Sequence, residues 1–141
     1  MSINVVKVGH AVLRVHDLDR SVAFYETLGL REVARRDFDG EHWVFLSSGN
    51  NHHDLALVEG GHGLHHVALA IGDETEALRE AKRTLETADI TVNGAMNFEV
   101  SQALFVSDPD GHLVELYVDT QGEPWRADPT LVANASPLDL A

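Results

Sequence analysis

The sequence predicts an α+β domain made of two copies of a strand–helix–three-strand unit, βαβββ, and three observations carry that reading. The apolar period runs twice through the same order, two residues for strands and about 3.6 for helices. One glycine-rich break, Gly60-Gly-His-Gly63, separates the two runs. The runs also superimpose: His10-Ala-Val-Leu-Arg-Val15 falls on His66-Val-Ala-Leu-Ala-Ile71, Trp43 to Leu46 falls near Ala103 to Val106, and His53-Asp-Leu-Ala-Leu57 falls on His112-Leu-Val-Glu-Leu116. A shared pattern of this kind marks two copies of one supersecondary unit.

In the first half, Val5 to Val15 reads as a strand, with Ala11, Leu13 and Val15 on one face and His10, Val12 and Arg14 on the other. Helical spacing follows from Leu18 through Val22, Tyr25 and Leu28, with Asp17 as N-cap and Gly29 as the stop. Residues 30 to 36 and 42 to 47 read as a hairpin about Asp39-Gly40. Asp54 to Glu59 is the last strand of this half.

In the second half, His66 to Ile71 is a strand. Asp73-Glu-Thr-Glu76 has the form of a capping box ahead of a helix with Ala77, Leu78, Ala81, Leu85 and Ala88 on its apolar side. Ile90-Thr-Val92, a loop from Asn93, a strand from Ala103 to Ser107 and the Asp108 to Gly111 turn lead to the strand that carries Glu115. That strand sets Val114, Leu116 and Val118 on one face and Leu113, Glu115 and Tyr117 on the other. The tail from Gln121, with four proline or tryptophan positions at Pro124, Trp125, Pro129 and Pro137, has no clear period and reads as an extended arm. Trp125, Leu131 and Val132 are too apolar to stay in water, so the arm packs on the body or on a second subunit. The expected layout is one domain over 1–141: module 1 about 5–59, linker 60–63, module 2 about 64–119 and arm 120–141.

The 141 residues suffice for one such domain. Ten Lys and Arg against 23 Asp and Glu give a formal charge of -13, which argues against a nucleic-acid or anionic-membrane partner. No cysteine is present, so disulfides, thiolate metal sites and a cysteine nucleophile are excluded. The N-terminus lacks a charged region ahead of a long apolar run, and no stretch approaches about 18 apolar residues. The expected location is the cytoplasm.

The repeat sets His10 and His66 at one place in their first strands, and sets Glu115 against Ala56 in the last. Two histidines and one glutamate, each away from the aliphatic face, form a 2-His-1-carboxylate set. Such a set suits Fe(II), and also Mn(II), Zn(II) or Ni(II), and leaves positions open for substrate or water. Ala56 cannot fill the fourth corner. Singly, each residue has a plainer explanation, a structural histidine or a solvated acid; it is the register between the halves that favours a metal. Arg14, on the face of His10, either holds an anionic substrate group or forms a salt bridge at the strand end. His53 and His112 occupy equivalent places at the matched turns and are either acid–base groups or solvated loop histidines. His65, beside His66, alternates outward and is the weaker ligand candidate.

With Gly9-His10-Ala-Val-Leu-Arg-Val, Asp17-Leu-Asp-Arg-Ser-Val-Ala-Phe-Tyr25, Leu64-His-His-Val-Ala-Leu69 and Asp108-Pro-Asp-Gly-His-Leu-Val-Glu-Leu-Tyr117, the chain resembles the vicinal oxygen chelate superfamily over residues 6 to 119. That superfamily includes glyoxalases, bleomycin resistance proteins and extradiol ring-cleavage dioxygenases. The resemblance implies paired βαβββ modules whose curved mixed sheets form a cup around a divalent metal, with His10, His66 and Glu115 on the ligand positions. Glyoxalase-type isomerases and acyl-CoA epimerases carry a fourth, acidic ligand where this chain has Ala56.

The three-ligand set, His52-His-Asp-Leu-Ala-Leu57 and Trp125-Arg-Ala-Asp-Pro129 look more like small extradiol dioxygenase-like proteins. There the metal chelates both oxygens of a catechol and O2 while an outer His and Tyr assist proton transfer. Here Phe98 and Phe105 fall on those two positions, and neither moves a proton. The expectation is a metal-dependent enzyme of the dioxygenase-like branch acting on a small substrate that chelates through adjacent oxygens, with Arg14, Ala56, Phe98, Phe105 and Tyr117 around the substrate, His53 or His112 as acid–base group, and Fe(II) as the first choice of metal. The alternatives are a glyoxalase-type isomerase or lyase and a bleomycin-resistance-like binding protein without turnover. A homodimer is expected from the family and from the sheet edges that such modules expose.

Overall fold

The computed structural model describes residues 2–141. Chain order is β1 (Lys7–Val15), α1 (Leu18–Thr27), β2 (Arg31–Phe38), β3 (Glu41–Ser47), β4 (Leu55–Glu59), β5 (Gly63–Gly72), α2 (Thr75–Thr87), β6 (Gly94–Asn97), β7 (Ser101–Ser107) and β8 (Leu113–Asp119). Two short 3-10 helices, Pro124–Arg126 and Pro129–Ala133, and a two-residue strand β9 (Ser136–Pro137) complete it. The strands make one mixed sheet of nine in the order β2-β3-β4-β1-β5-β8-β7-β6-β9, curled into a half-barrel. Each half has its first strand parallel to its last (β1 with β4, β5 with β8), and the halves join through the antiparallel pair β1–β5. The α+β architecture of two βαβββ units is the one the sequence predicts.

Local chemistry explains most boundaries. Asp17 caps α1 by accepting from the backbone N–H of Arg20 at 3.1 Å. Asp39 (φ 50) and Gly40 (φ 80) both take positive φ, as a two-residue hairpin turn between β2 and β3 requires. The capping box expected at Asp73–Glu76 is not formed: Glu74 stands at the N-cap with no side-chain bond to the helix, and the Thr75 hydroxyl donates instead to Gln102 on β7 at 2.5 Å. Ile90-Thr-Val92 forms no regular element. The helix ends in a left-handed residue, Asp89 (φ 59), and pairing with β7 begins only where the Asn93 N–H reaches the Phe105 carbonyl at 2.7 Å, so β6 occupies the stretch read as loop.

The two faces of the sheet have separate cores. On the convex face α1 packs Leu18 and Val22 onto Val44, Leu46 and Leu57, and α2 packs Leu78, Ala81 and Leu85 onto Leu104, Val106, Leu116 and Val118. Each Leu or Val buried in this way contributes about 1.5–3 kcal/mol. The concave face carries His10, Val12 and Val58 from one half and His66, Ala68, Glu115 and Tyr117 from the other, all buried. Alternation therefore sorts aliphatic residues to the helices and the polar residues into the cup, as read from the Glu115 strand. The tail is not an extended arm. Its second 3-10 helix lies against β2, its Val132 is buried, β9 pairs with β6, and Leu140 ends in the core under α2.

Candidate metal centre and substrate cavity

Backbone register brings the three predicted ligands together. His10 on β1 is paired with Ala68 on β5, and Ala68 in turn with Glu115 on β8. His66 lies two residues before Ala68 on the same face. The β1–β5 ladder also skips a residue twice, at Gly9 and at His65, where pairing steps from Val8–Leu69 to His10–Ala68 and from Val12–His66 to Leu13–Leu64. Each skip is a bulge immediately before one of the two predicted ligand histidines, and bulges re-aim the side chains beside them. The first also makes room for Tyr117: a Cβ on residue 9 would stand 1.7 Å from the Tyr117 hydroxyl.

Nε2 of His66 lies 3.0 Å and Nε2 of His10 3.5 Å from Oε1 of Glu115, and the three ligand atoms fall within 4.8 Å of one another. All three residues are buried, at 4%, 6% and 3% exposure for His10, His66 and Glu115. Two ligands at about 2.1 Å from a common ion lie roughly 3.0–3.5 Å apart at octahedral or tetrahedral angles, which the two separations to Glu115 match. The donor set fits as well. His66 has its other nitrogen, Nδ1, bonded to Nδ1 of His65 at 2.7 Å, which fixes the orientation of its ring. Nδ1 of His10 and the Tyr117 hydroxyl are both buried without a hydrogen-bond partner.

Burial pushes the Glu115 carboxyl up, but the charge of His10 and hydrogen bonds from His10 and His66 outweigh it and bring Glu115 down to about 2. Burial holds His53 well below the ordinary histidine value, and His10, His52 and His66 add to that effect. Burial likewise lowers His65 to about 4, helped by His66 and Arg14. Burial, with Asp119 and Glu115 nearby, raises the Tyr117 phenol above its ordinary value.

A cavity of about 240 Å³ opens over the three ligands, with Trp43, Phe45, Phe98 and Phe105 on its walls. Phe105 is paired with Glu115 across β7–β8 and sets its ring edge-on to His66, with centroids 5.9 Å apart. His53 also lines the cavity, its ring centroid 3.9 Å from that of His10. Arg36 and Asn134 stand at the side where the tail crosses the cup, and the Arg36 guanidinium donates to the Ala133 carbonyl.

Of the predicted residues, His10, His66, Glu115, His53, Phe98 and Phe105 meet around this space. Ala56 and Tyr117 are fully buried behind it, and Ala56 faces Val12 in the register that Glu115 has with Ala68. Arg14 and His112 stand apart: Arg14 bridges Glu41 at 3.0 Å on the rim, and His112 is exposed with Nδ1 on Asp108 at 2.8 Å. His65, read as pointing outward, lines the cavity because the bulge at its own position breaks the alternation. Trp43 and Phe45 were signalled by alternation against Val44 and Leu46; Val132 and Asn134 carried no periodic signal, because a 3-10 tail has none.

The description "Glyoxalase/Bleomycin resistance protein/Dioxygenase superfamily" belongs to a family model that matches residues 7–116, the span of both βαβββ units. The chain belongs to this superfamily. Among its relatives, catechol-2,3-dioxygenase of Bacillus subtilis is 28% identical over 128 residues, covering 86% of this chain and 44% of that protein. A lactoylglutathione lyase of Neisseria meningitidis serogroup A is 26% identical over 127 residues, covering 81% of this chain and 91% of that enzyme. This superfamily member thus spans under half of the first relative and nearly all of the second. Among solved structures, a variant of homoprotocatechuate 2,3-dioxygenase from B. fuscum matches with a TM-score of 0.71 at 26% identity, over 90% of this chain and 37% of that one. The 2,3-dioxygenase LapB from Pseudomonas sp. KL28 matches in fold with a TM-score of 0.72 at 22% identity, over 99% of this chain and 48% of that one. No helix among the described residues is long and apolar enough to cross a membrane.

Proposed function

We propose that this superfamily member is a metal-dependent enzyme of the extradiol dioxygenase-like branch, acting on a small aromatic diol that chelates the metal through adjacent oxygens. The observation that carries this reading is the coincidence of a buried three-ligand set with an aromatic-walled cavity directly above it. His10, His66 and Glu115 would hold the ion, Fe(II) first and Mn(II), Zn(II) or Ni(II) otherwise. A bound ion would supply Lewis-acid chemistry, orienting two vicinal oxygens and stabilising the anion they form. Trp43, Phe45, Phe98 and Phe105 would clasp a flat ring and exclude water.

Extradiol cleavage consumes one diol and one O2 and places both oxygen atoms in the ring-opened product, with no further reductant. Protons must move between oxygens as it proceeds. Phe98 and Phe105 cannot move them and His112 lies outside the cavity; His53, which lines it beside His10 and which burial keeps neutral, is assigned the task. The similarity to a lactoylglutathione lyase over 91% of that enzyme supports a second reading, a glyoxalase-type isomerase or lyase. Ala56 stands against it, because the corner a fourth acid would occupy is a methyl group.

The test is elemental analysis of the purified protein, joined to oxygen uptake on a panel of catechols after anaerobic loading with Fe(II). One metal per chain, lost in His10→Ala and Glu115→Ala while the fold persists, and uptake on a catechol are the expected results. Unchanged metal in those variants overturns the site; tight catechol binding without uptake or metal favours a sequestering protein of the bleomycin-resistance kind.

A further inference from the structure

Resting on the reading of His53 as the group that faces substrate, we propose that Asp119 and His52 are positioning residues that fix which ring nitrogen of His53 is left bare. Oδ1 of Asp119 lies 2.8 Å from Nε2 of His52, and Nδ1 of His52 lies 2.7 Å from Nδ1 of His53. Both rings are buried, at 2% and 6% exposure. A carboxylate only accepts, so Nε2 of His52 carries a proton, and with a single proton on the ring its Nδ1 is the acceptor. Nδ1 of His53 must then carry the proton of that ring and donate it to His52. Nε2 of His53 is left with its lone pair free to take a proton from a substrate hydroxyl.

Several contacts hold this chain of rings in place. Asp119 comes from β8, the strand of Glu115, so the strand that supplies the carboxylate ligand also supplies the anchor of the relay. Asn51 accepts from the His52 backbone N–H at 2.9 Å and donates from its amide to the Gly9 carbonyl at 3.2 Å, which ties the histidine pair to the bulge beside His10. The Ser47 hydroxyl donates to the Asn51 carbonyl at 2.6 Å and closes the turn. A lone buried histidine would have either tautomer available; the link to Asp119 selects one.

Two-bond 15N–1H correlation spectra of the full chain, with and without zinc(II), test the assignment, with His53 identified by its loss in His53→Gln. The expected spectrum shows His53 protonated at Nδ1 alone. In Asp119→Asn the amide can donate to His52 and reverse the chain, so His53 should become a mixture or the opposite tautomer. With the Fe(II)-loaded enzyme, kcat should fall about tenfold or more at little-changed KM, the range that outer contacts of a site command, and Asp119→Glu should restore part of it. A wild-type His53 protonated at Nε2, or a tautomer indifferent to Asp119→Asn, overturns the proposal. Zinc(II) that leaves the His10 and His66 signals unmoved would overturn the metal reading instead, with the tautomer result still standing.

Discussion

Glu115 and His10 stand on opposite sides of Ala68 in a row across three strands, so a single methyl group separates the two on their shared face. A larger side chain at 68 would crowd both neighbours. Ala68→Val should lower metal content at least tenfold at an overpacking cost of about 1–3 kcal/mol. Elemental analysis beside circular dichroism checks this, and a folded Ala68→Val protein with full metal would show that the ion sits elsewhere.

Phe105 withholds a hydroxyl from the cavity next to Glu115 and His66. If proton transfer limits ring cleavage, Phe105→Tyr should raise kcat at least tenfold, the lower part of the range that a positioned acid or base commands being about 10²-fold. The measurement is oxygen uptake on the best catechol under saturating substrate. No gain would mean that His53 already meets the demand.

Stability should depend on pH through His53. Its folded value is held well below 6.5, so below about 6.5 the unfolded chain takes up a proton that the folded chain refuses. Stability is therefore present above pH 6.5 and declines on acidification, by about 1.4 kcal/mol per pH unit for one such group. Glu115 acts in a lower window: its folded value is about 2 against an ordinary 4.5, so the stability it adds is complete above 4.5 and is lost as the pH falls through about 2. Urea melts of the metal-free chain between pH 7 and 4.5 should show a slope that His53→Gln flattens; an unchanged slope would exclude His53 as its source.

Gly9 is required by its neighbour rather than by its own φ. Gly9→Ala places a methyl within 2.4 Å of the Tyr117 ring carbon that bears the hydroxyl, and should cost about 1–3 kcal/mol while displacing His10. In combination with Tyr117→Ala the two penalties should be non-additive, since the second change removes the obstacle of the first. Additive losses in thermal melts would separate Gly9 from Tyr117.

The fold and the gathering of His10, His66 and Glu115 were legible because they rest on period and repeat. Alternation in Val114 to Val118 placed Glu115 on the inner face, and the match of His10 with His66 put two imidazoles in register with it. What the sequence hid lies where the period breaks. The bulge at His65 turns that ring into the cup against strict alternation, and the tail that carries Val132 and Asn134 to the cavity is 3-10 helix without a repeat. His53 and His112 are equivalent in sequence, yet one is buried beside His10 and the other is exposed; that difference comes from the neighbours each turn meets, which a local pattern does not record.

The seam between β1 and β5 would give a bound ion a mechanical role. His10 stands on the first half and His66 and Glu115 on the second, so an ion held by all three would be a clasp across the seam. Local openings that part β1 from β5 would have to surrender a ligand, and amide hydrogens on both strands should exchange more slowly together once metal is bound. The two halves, separately folded in outline, would then share a single unfolding event.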